Sequence, residues 1–164
     1  MDCYACQEEE RFAALPPREN IVSDEHWRVV HAFDSALRGW LVLLPRRHVT
    51  SVAGLTDREA ATLGTWQVRL SRALREETGC QKTYVMQFAE KDGFAHVHFH
   101  VVPRLADLPA EHRGPAVFHY ARRPLSEQLS EVDRDEVALA LRAALARRPV
   151  AADRPHPPGG RRMS

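Results

Sequence analysis

The chain has 164 residues, enough for one domain with a buried core. Its 23 Lys and Arg balance 22 Asp and Glu, for a formal net charge of +1; this argues against an extended nucleic-acid track but allows a local basic pocket. Apolar runs such as Trp40 to Leu44 are too short to span a bilayer, which argues against a membrane protein.

Met1-Asp2-Cys3 does not read as a signal peptide, and Cys3, Cys6 and Cys80 make a poor disulfide framework, so a cytoplasmic location is expected. Cys3-Tyr4-Ala5-Cys6 spaces two thiols as a zinc knuckle does. Alone, such a pair is redox-active, structural or inert, and the βαβ pattern of a thioredoxin-like redox site is missing. Cys80 has no partner at metal spacing and reads as a small buried apolar residue.

Trp27 to Phe33 alternates Trp27, Val29, His31 and Phe33 and predicts a strand. Trp40 to Leu44 predicts a second, ending at Pro45, with Ser35 to Gly39 as the turn of a hairpin. Thr56-Asp57-Arg58-Glu59 is a capping box, in which the Thr56 hydroxyl and Glu59 carboxylate satisfy the free amides of a helix start. The helix it opens carries Leu63, Trp66, Leu70 and Leu74 on one stripe, and Gly79 is its stop. Thr83 to Phe88 predicts another strand, and Lys91-Asp92-Gly93 a turn.

A second helix is expected from about Ser130 to Arg147, with Val137, Leu141 and Leu145 at helical spacing. The order is α+β, with an antiparallel sheet, a helix packed across it and a C-terminal helix. The domain is expected to span residues 1–148. From Pro149 the chain is rich in Pro, Gly and Arg and predicts a disordered tail, 149–164.

The most informative stretch is His96-Val97-His98-Phe99-His100-Val101-Val102. As a strand it would set three imidazoles on one face and apolar side chains on the other. One histidine on a strand is ordinarily structural. Three in strict alternation multiply the demand for partners and point to chemistry, either a metal site or a nucleophilic imidazole aimed at phosphorus.

That stretch, followed by Pro103-Arg104, resembles the histidine triad (HIT) motif of nucleotide hydrolases and transferases. The resemblance runs upstream to Ile21, through Glu25 to Phe33, Asp34, Gly39 to Leu44, Pro45-Arg46-Arg47-His48 and the capped helix. It implies a homodimer with sheets paired across the two-fold, and cleavage at the α-phosphorus of a nucleoside phosphoramidate or dinucleoside polyphosphate. His98 would be the nucleophile that forms a nucleotidyl-imidazole, and His100 would hydrogen-bond the phosphate or leaving group. His96 would orient the neighbouring rings or bind metal, Asp34 would read the ribose, and Gln87 would touch the phosphate or leaving group. The plain alternatives are a turn-forming Asp34 and a surface Gln87. Bacterial relatives that begin with CxxC bind a structural zinc, which implies Cys3, Cys6, His48 and His96 as a Cys₂His₂ set. The partner is then a small nucleotide. The same intermediate would also serve a nucleotidyltransferase, and a zinc-stabilised nucleotide-binding module with little turnover is the reading from another class.

The chain departs from the motif at three points. Trp40 stands where many members have a fourth His, the turn between Asp34 and Gly39 is short, and Asp92-Gly93 replaces the usual Gln-Ser or Gln-Thr. These departures bear on substrate choice and rate more than on reaction type.

Overall fold

Period-two alternation in the apolar segments builds a sheet with two different faces. The computed structural model describes residues 3–147, so the segment from Pro149 that reads as a tail lies outside them. The strands are β1 (Val22–Ser23), β2 (Trp27–His31), β3 (Leu41–Pro45), β4 (Lys82–Gln87) and β5 (Phe99–Arg104). They lie in the order β1-β2-β3-β5-β4, every neighbour antiparallel. The register sets Val29 opposite Leu43, Leu43 opposite Phe99, and Met86 opposite His100.

One face carries Val29, Leu41, Leu43, Phe99 and Val101, all buried. A short N-terminal helix, α1 (Tyr4–Glu10), precedes the sheet; its first amide donates to Gly93 O at 3.0 Å. Two long helices, α2 (Asp57–Thr78) and α3 (Glu131–Arg147), pack into the core of the buried face through Trp66, Leu70 and Leu74 and through Val137, Leu141 and Leu145. The start of α2 has both bonds of the capping box: the Thr56 hydroxyl accepts from the Glu59 amide and the Glu59 carboxylate from the Thr56 amide. Gly79 ends it at φ +67, a left-handed cap that favours glycine. Cys80 is buried in this core, as its isolation in the sequence suggests.

The opposite face is only partly covered. Trp40 and Val102 pack there with Leu37, Leu108 and Val117, the last supplied by a 3₁₀ segment, Gly114–Tyr120. The remainder is open and forms a cavity.

One feature differs from the sequence reading, and two carry no signal in it. The histidine strand begins at Phe99, so His96 and His98 precede it. Before Phe99 the chain bonds sideways instead, the Val97 amide donating to Val49 O at 2.6 Å. The alternation survives without the strand, because Val97, Phe99 and Val101 still enter the helix-side core. Helix α1 has no signal in the sequence, its Cys3 N-cap making no side-chain capping bond. Lastly, His31 is structural. Its Nδ1 donates to the Ala32 carbonyl at 2.8 Å and its Nε2 accepts from the Gly39 amide at 3.1 Å, closing the β2–β3 turn.

Candidate active site and metal centre

The open face of β2, β3 and β5 floors a cavity of about 450 Å³, within the range of small-molecule sites. His96, His98, His100 and Asp34 line it, with Val30, Val42 and Leu44 as an apolar floor. Phe33 and Phe94 stack at 5.7 Å between ring centroids and Tyr4 tilts against both, giving one wall an aromatic surface. Lys91 lies over the Phe94 ring at 4.8 Å, and Arg122, at φ +55, also lines the cavity.

The hydrogen bonds around the histidines fix which ring nitrogen carries each proton. His98 Nδ1 lies 2.7 Å from the His96 carbonyl oxygen. A carbonyl only accepts, so Nδ1 is protonated and Nε2 keeps its lone pair. Burial lowers the His98 pKa, partly offset by that bond, and favours the neutral, nucleophilic ring. His100 is the mirror case. The Trp40 indole N–H donates to its Nδ1 at 3.0 Å, which leaves the proton on Nε2. The two rings meet edge to face at 4.9 Å, and Phe118 backs His100 at 5.5 Å. A lone pair and an N–H donor thus stand side by side.

Arg28 and Glu19 also line the cavity. Arg28 donates to the carbonyls of Glu19 at 2.8 Å and Ala5 at 3.3 Å, and pairs with Glu9 at 3.3 Å. Burial lowers the Arg28 pKa and raises that of Glu19.

His96 turns to a second site. Its Nε2 donates to Pro45 O at 2.8 Å, so Nδ1 carries a lone pair, 3.6 Å from Cys3 Sγ and 3.8 Å from Cys6 Sγ. His48 Nδ1 lies 3.3 Å from Cys6 Sγ, and all four donor atoms fall within 4.8 Å of one another. Tetrahedral zinc with bonds of about 2.0–2.3 Å has ligand–ligand edges of about 3.3–3.8 Å. The four residues fit Zn²⁺. Without a cation, burial and the neighbouring Cys3 push the Cys6 thiol up to about 11. A bound cation reverses this by holding the thiolate, and it would tie α1, the residues after β3 and the triad together.

The sequence-derived residues do not all converge. Gln87 pairs with Phe99, whose side chain enters the helix-side core, and it is not among the cavity residues. Cross-strand partners share a face, so the β4 residue beside His100 is Met86. Asp34 does line the cavity. Arg46 pairs with Glu9 and covers Phe12, while Arg47 binds Glu59 and Gly54 O, so both serve the scaffold. Sequence reasoning does not find Trp40, Lys91, Arg122 or the aromatic wall as parts of the site. Only the Trp40 departure and the Lys91 turn give any signal, because Phe33, Phe94 and Arg122 meet through folding.

The HIT domain matches residues 16–107, more than half of the chain. A Zn-bound histidine triad protein from Mycobacterium smegmatis shares 25% identity with a TM-score of 0.61, over 88% of this chain and 94% of that one. A histidine triad protein from Bradyrhizobium japonicum shares 26% identity with a TM-score of 0.63, over 77% and 89%. A histidine triad nucleotide-binding protein from Sulfolobus tokodaii, at 15% identity and a TM-score of 0.67 over 88% and 93%, shares the fold. No curated protein matches the chain. None of the described helices is long and apolar enough to cross a membrane. With the domain match spanning the nucleophile candidate, both faces of the sheet and the capped helix, this chain belongs to the histidine triad family, a family of nucleotide hydrolases and transferases.

Proposed function

We propose that the protein is a hydrolase that cleaves at the α-phosphorus of nucleoside phosphoramidates or dinucleoside polyphosphates through a nucleotidyl-His98 intermediate. The observation that carries this reading is the pair of opposed tautomers: His98 with a free Nε2 lone pair beside His100 with an Nε2–H. In the first step His98 Nε2 bonds to phosphorus as the bond to the leaving group breaks, and the leaving group keeps the electron pair. In the second, water attacks phosphorus and releases a proton to solvent as the P–N bond breaks and its electrons return to His98 Nε2.

His100 donates a hydrogen bond to the phosphate or leaving group, and the cations Lys91 and Arg122 offset phosphate charge at the cavity. Asp34 accepts from the ribose hydroxyls, and the wall of Tyr4, Phe33 and Phe94 gives the base a surface to stack on. Zinc at Cys3, Cys6, His48 and His96 is structural, holding the carbonyl of His96 where it orients His98. The unit is a cytoplasmic homodimer that pairs sheets through the free edge of β4, where Val85 and the following Phe88 are exposed.

The test is direct. Protein quenched during turnover of an adenylylated substrate is digested and searched by mass spectrometry for a nucleotide on His98. An adduct on His98, lost in His98→Ala, supports the reading. Turnover with no adduct on any histidine defeats it.

A further inference from the structure

Trp40 is nearly fully buried, yet its one polar atom is spent on a single contact, the N–H donated to His100 Nδ1 at 3.0 Å. A buried indole N–H needs a partner, and this one finds an imidazole that also needs one. The ring is gripped on a second side by Phe118, which packs against both Trp40 and His100 at about 5.5 Å. His100 therefore has neither the freedom to turn nor an open Nδ1.

We infer that Trp40 is a positioning residue that holds His100 as a neutral hydrogen-bond donor, and that it thereby selects substrates whose leaving group departs without a proton: a phosphate anhydride rather than a phosphoramidate. The inference rests on the proposed nucleotidyl transfer through His98 and names the substrate class of that same site.

A proton on His100 Nδ1 would face the indole N–H, donor against donor, so the doubly protonated ring is disfavoured. Burial, with His98 and Arg122 nearby, pushes the His100 ring down to about 3, in the same direction. The other charged groups that line the cavity include Asp34, Glu90 and Lys91. Near neutral pH the ring has one proton, on Nε2, and giving it up would leave an imidazolate. His100 can therefore polarise a departing oxygen but not protonate a departing nitrogen. When the Pα–O bond of an anhydride breaks, the leaving phosphate takes the electron pair and is stable as an anion. When a Pα–N bond breaks, the amine needs a proton that this ring does not supply.

Two adenosine substrates that form the same intermediate separate these cases: diadenosine triphosphate and adenosine 5′-phosphoramidate. Positioned general acids contribute about 10²–10⁴-fold, so the anhydride is expected to exceed the amidate in kcat/KM by about 100-fold or more. Trp40→Phe keeps the ring packing and removes the N–H. It leaves Nδ1 free to carry the ring's one proton, so the fixed Nε2–H donor is lost, and it is expected to lower kcat/KM with the anhydride, and with it that ratio, by at least about tenfold. Nitrogen NMR of His100 gives a readout that packing alone would not move: an Nε2-protonated ring between about pH 8 and 5.5 in the parent, and a mixture of the two neutral tautomers in Trp40→Phe.

Should Trp40→Phe fail to fold, His100 itself decides. His100→Gln retains an N–H donor and His100→Phe does not, so with the anhydride the former is expected to be faster by about 10²-fold. Equal use of the two substrates by the parent overturns this inference alone, as does an Nδ1-protonated His100 or equal rates for the two His100 variants. Absence of any adenylyl transfer from either substrate overturns the proposed function, and this inference with it.

Discussion

Removing one zinc ligand should loosen the N-terminal end of the site by a calculable amount. Cys6→Ser replaces a thiolate whose sulfur lies 3.3 Å from His48 Nδ1 and 3.8 Å from His96 Nδ1. These two spacings match edges of a zinc tetrahedron and all four donor atoms lie within 4.8 Å of one another, so only small ligand shifts precede binding and most of its free energy appears as stability. At free zinc about 1,000-fold above its Kd, linkage gives about 4 kcal/mol. For a domain of this size each kcal/mol moves Tm by about 2–4 °C, so the loss is about 8–16 °C. Only part of the fold depends on the metal, since α1 has a single buried residue and seven residues cannot form a stable helix unaided. Limited proteolysis of the variant should therefore cut first near α1. The assay is thermal unfolding of wild type and Cys6→Ser, each with zinc and with chelator, alongside elemental analysis. A wild type without stoichiometric zinc, or two proteins that melt within about 2 °C of each other in zinc, would refute a stabilising zinc at this site.

Other expectations follow from the same geometry. His98→Ala should lower turnover by about 10³-fold or more while retaining nucleotide binding by calorimetry, because the nucleophile goes and the cavity stays. Acid should destabilise the fold through His31 and His100, whose folded pKa values are held down to about 4 and about 3 from 6.5, chiefly by burial. The unfolded rings take up protons first, so this stability is complete above 6.5 and falls as pH drops. At pH 5 the loss is on the order of 2 kcal/mol per ring, and denaturant melts showing no decline between pH 7 and 5 would contradict it. Sedimentation at micromolar concentration should give a dimer, and a charged residue at Val85 should shift it to monomer if β4 is the paired edge.

The sequence alone carries a good part of the fold and of the site. The capping box at Thr56 and the stop at Gly79 are local rules, satisfied by the residues' own hydrogen bonds, so the ends of α2 can be read closely. The alternation of Val97, Phe99 and Val101 with histidines sets which side chains enter the core, even though the strand starts later than its pattern suggests. Cys3, Cys6, His48 and His96 can be named as ligands through resemblance to a family, and the fold brings them within bonding range of one ion.

The rest depends on contacts between residues far apart in the chain. Gln87 and Met86 are neighbours, and only the register against β5 decides that Met86, not Gln87, stands beside His100. His31 carries no signal because its two partners, Ala32 O and the Gly39 amide, converge only once the turn has folded. Trp40 is visible as a departure, but its consequence is not: an indole 60 positions away decides which nitrogen of His100 bears the proton. Local sequence determines periodicity and caps because these use neighbouring backbone groups. Tautomers, buried charges and cavity walls are set by long-range packing, which only the tertiary structure supplies.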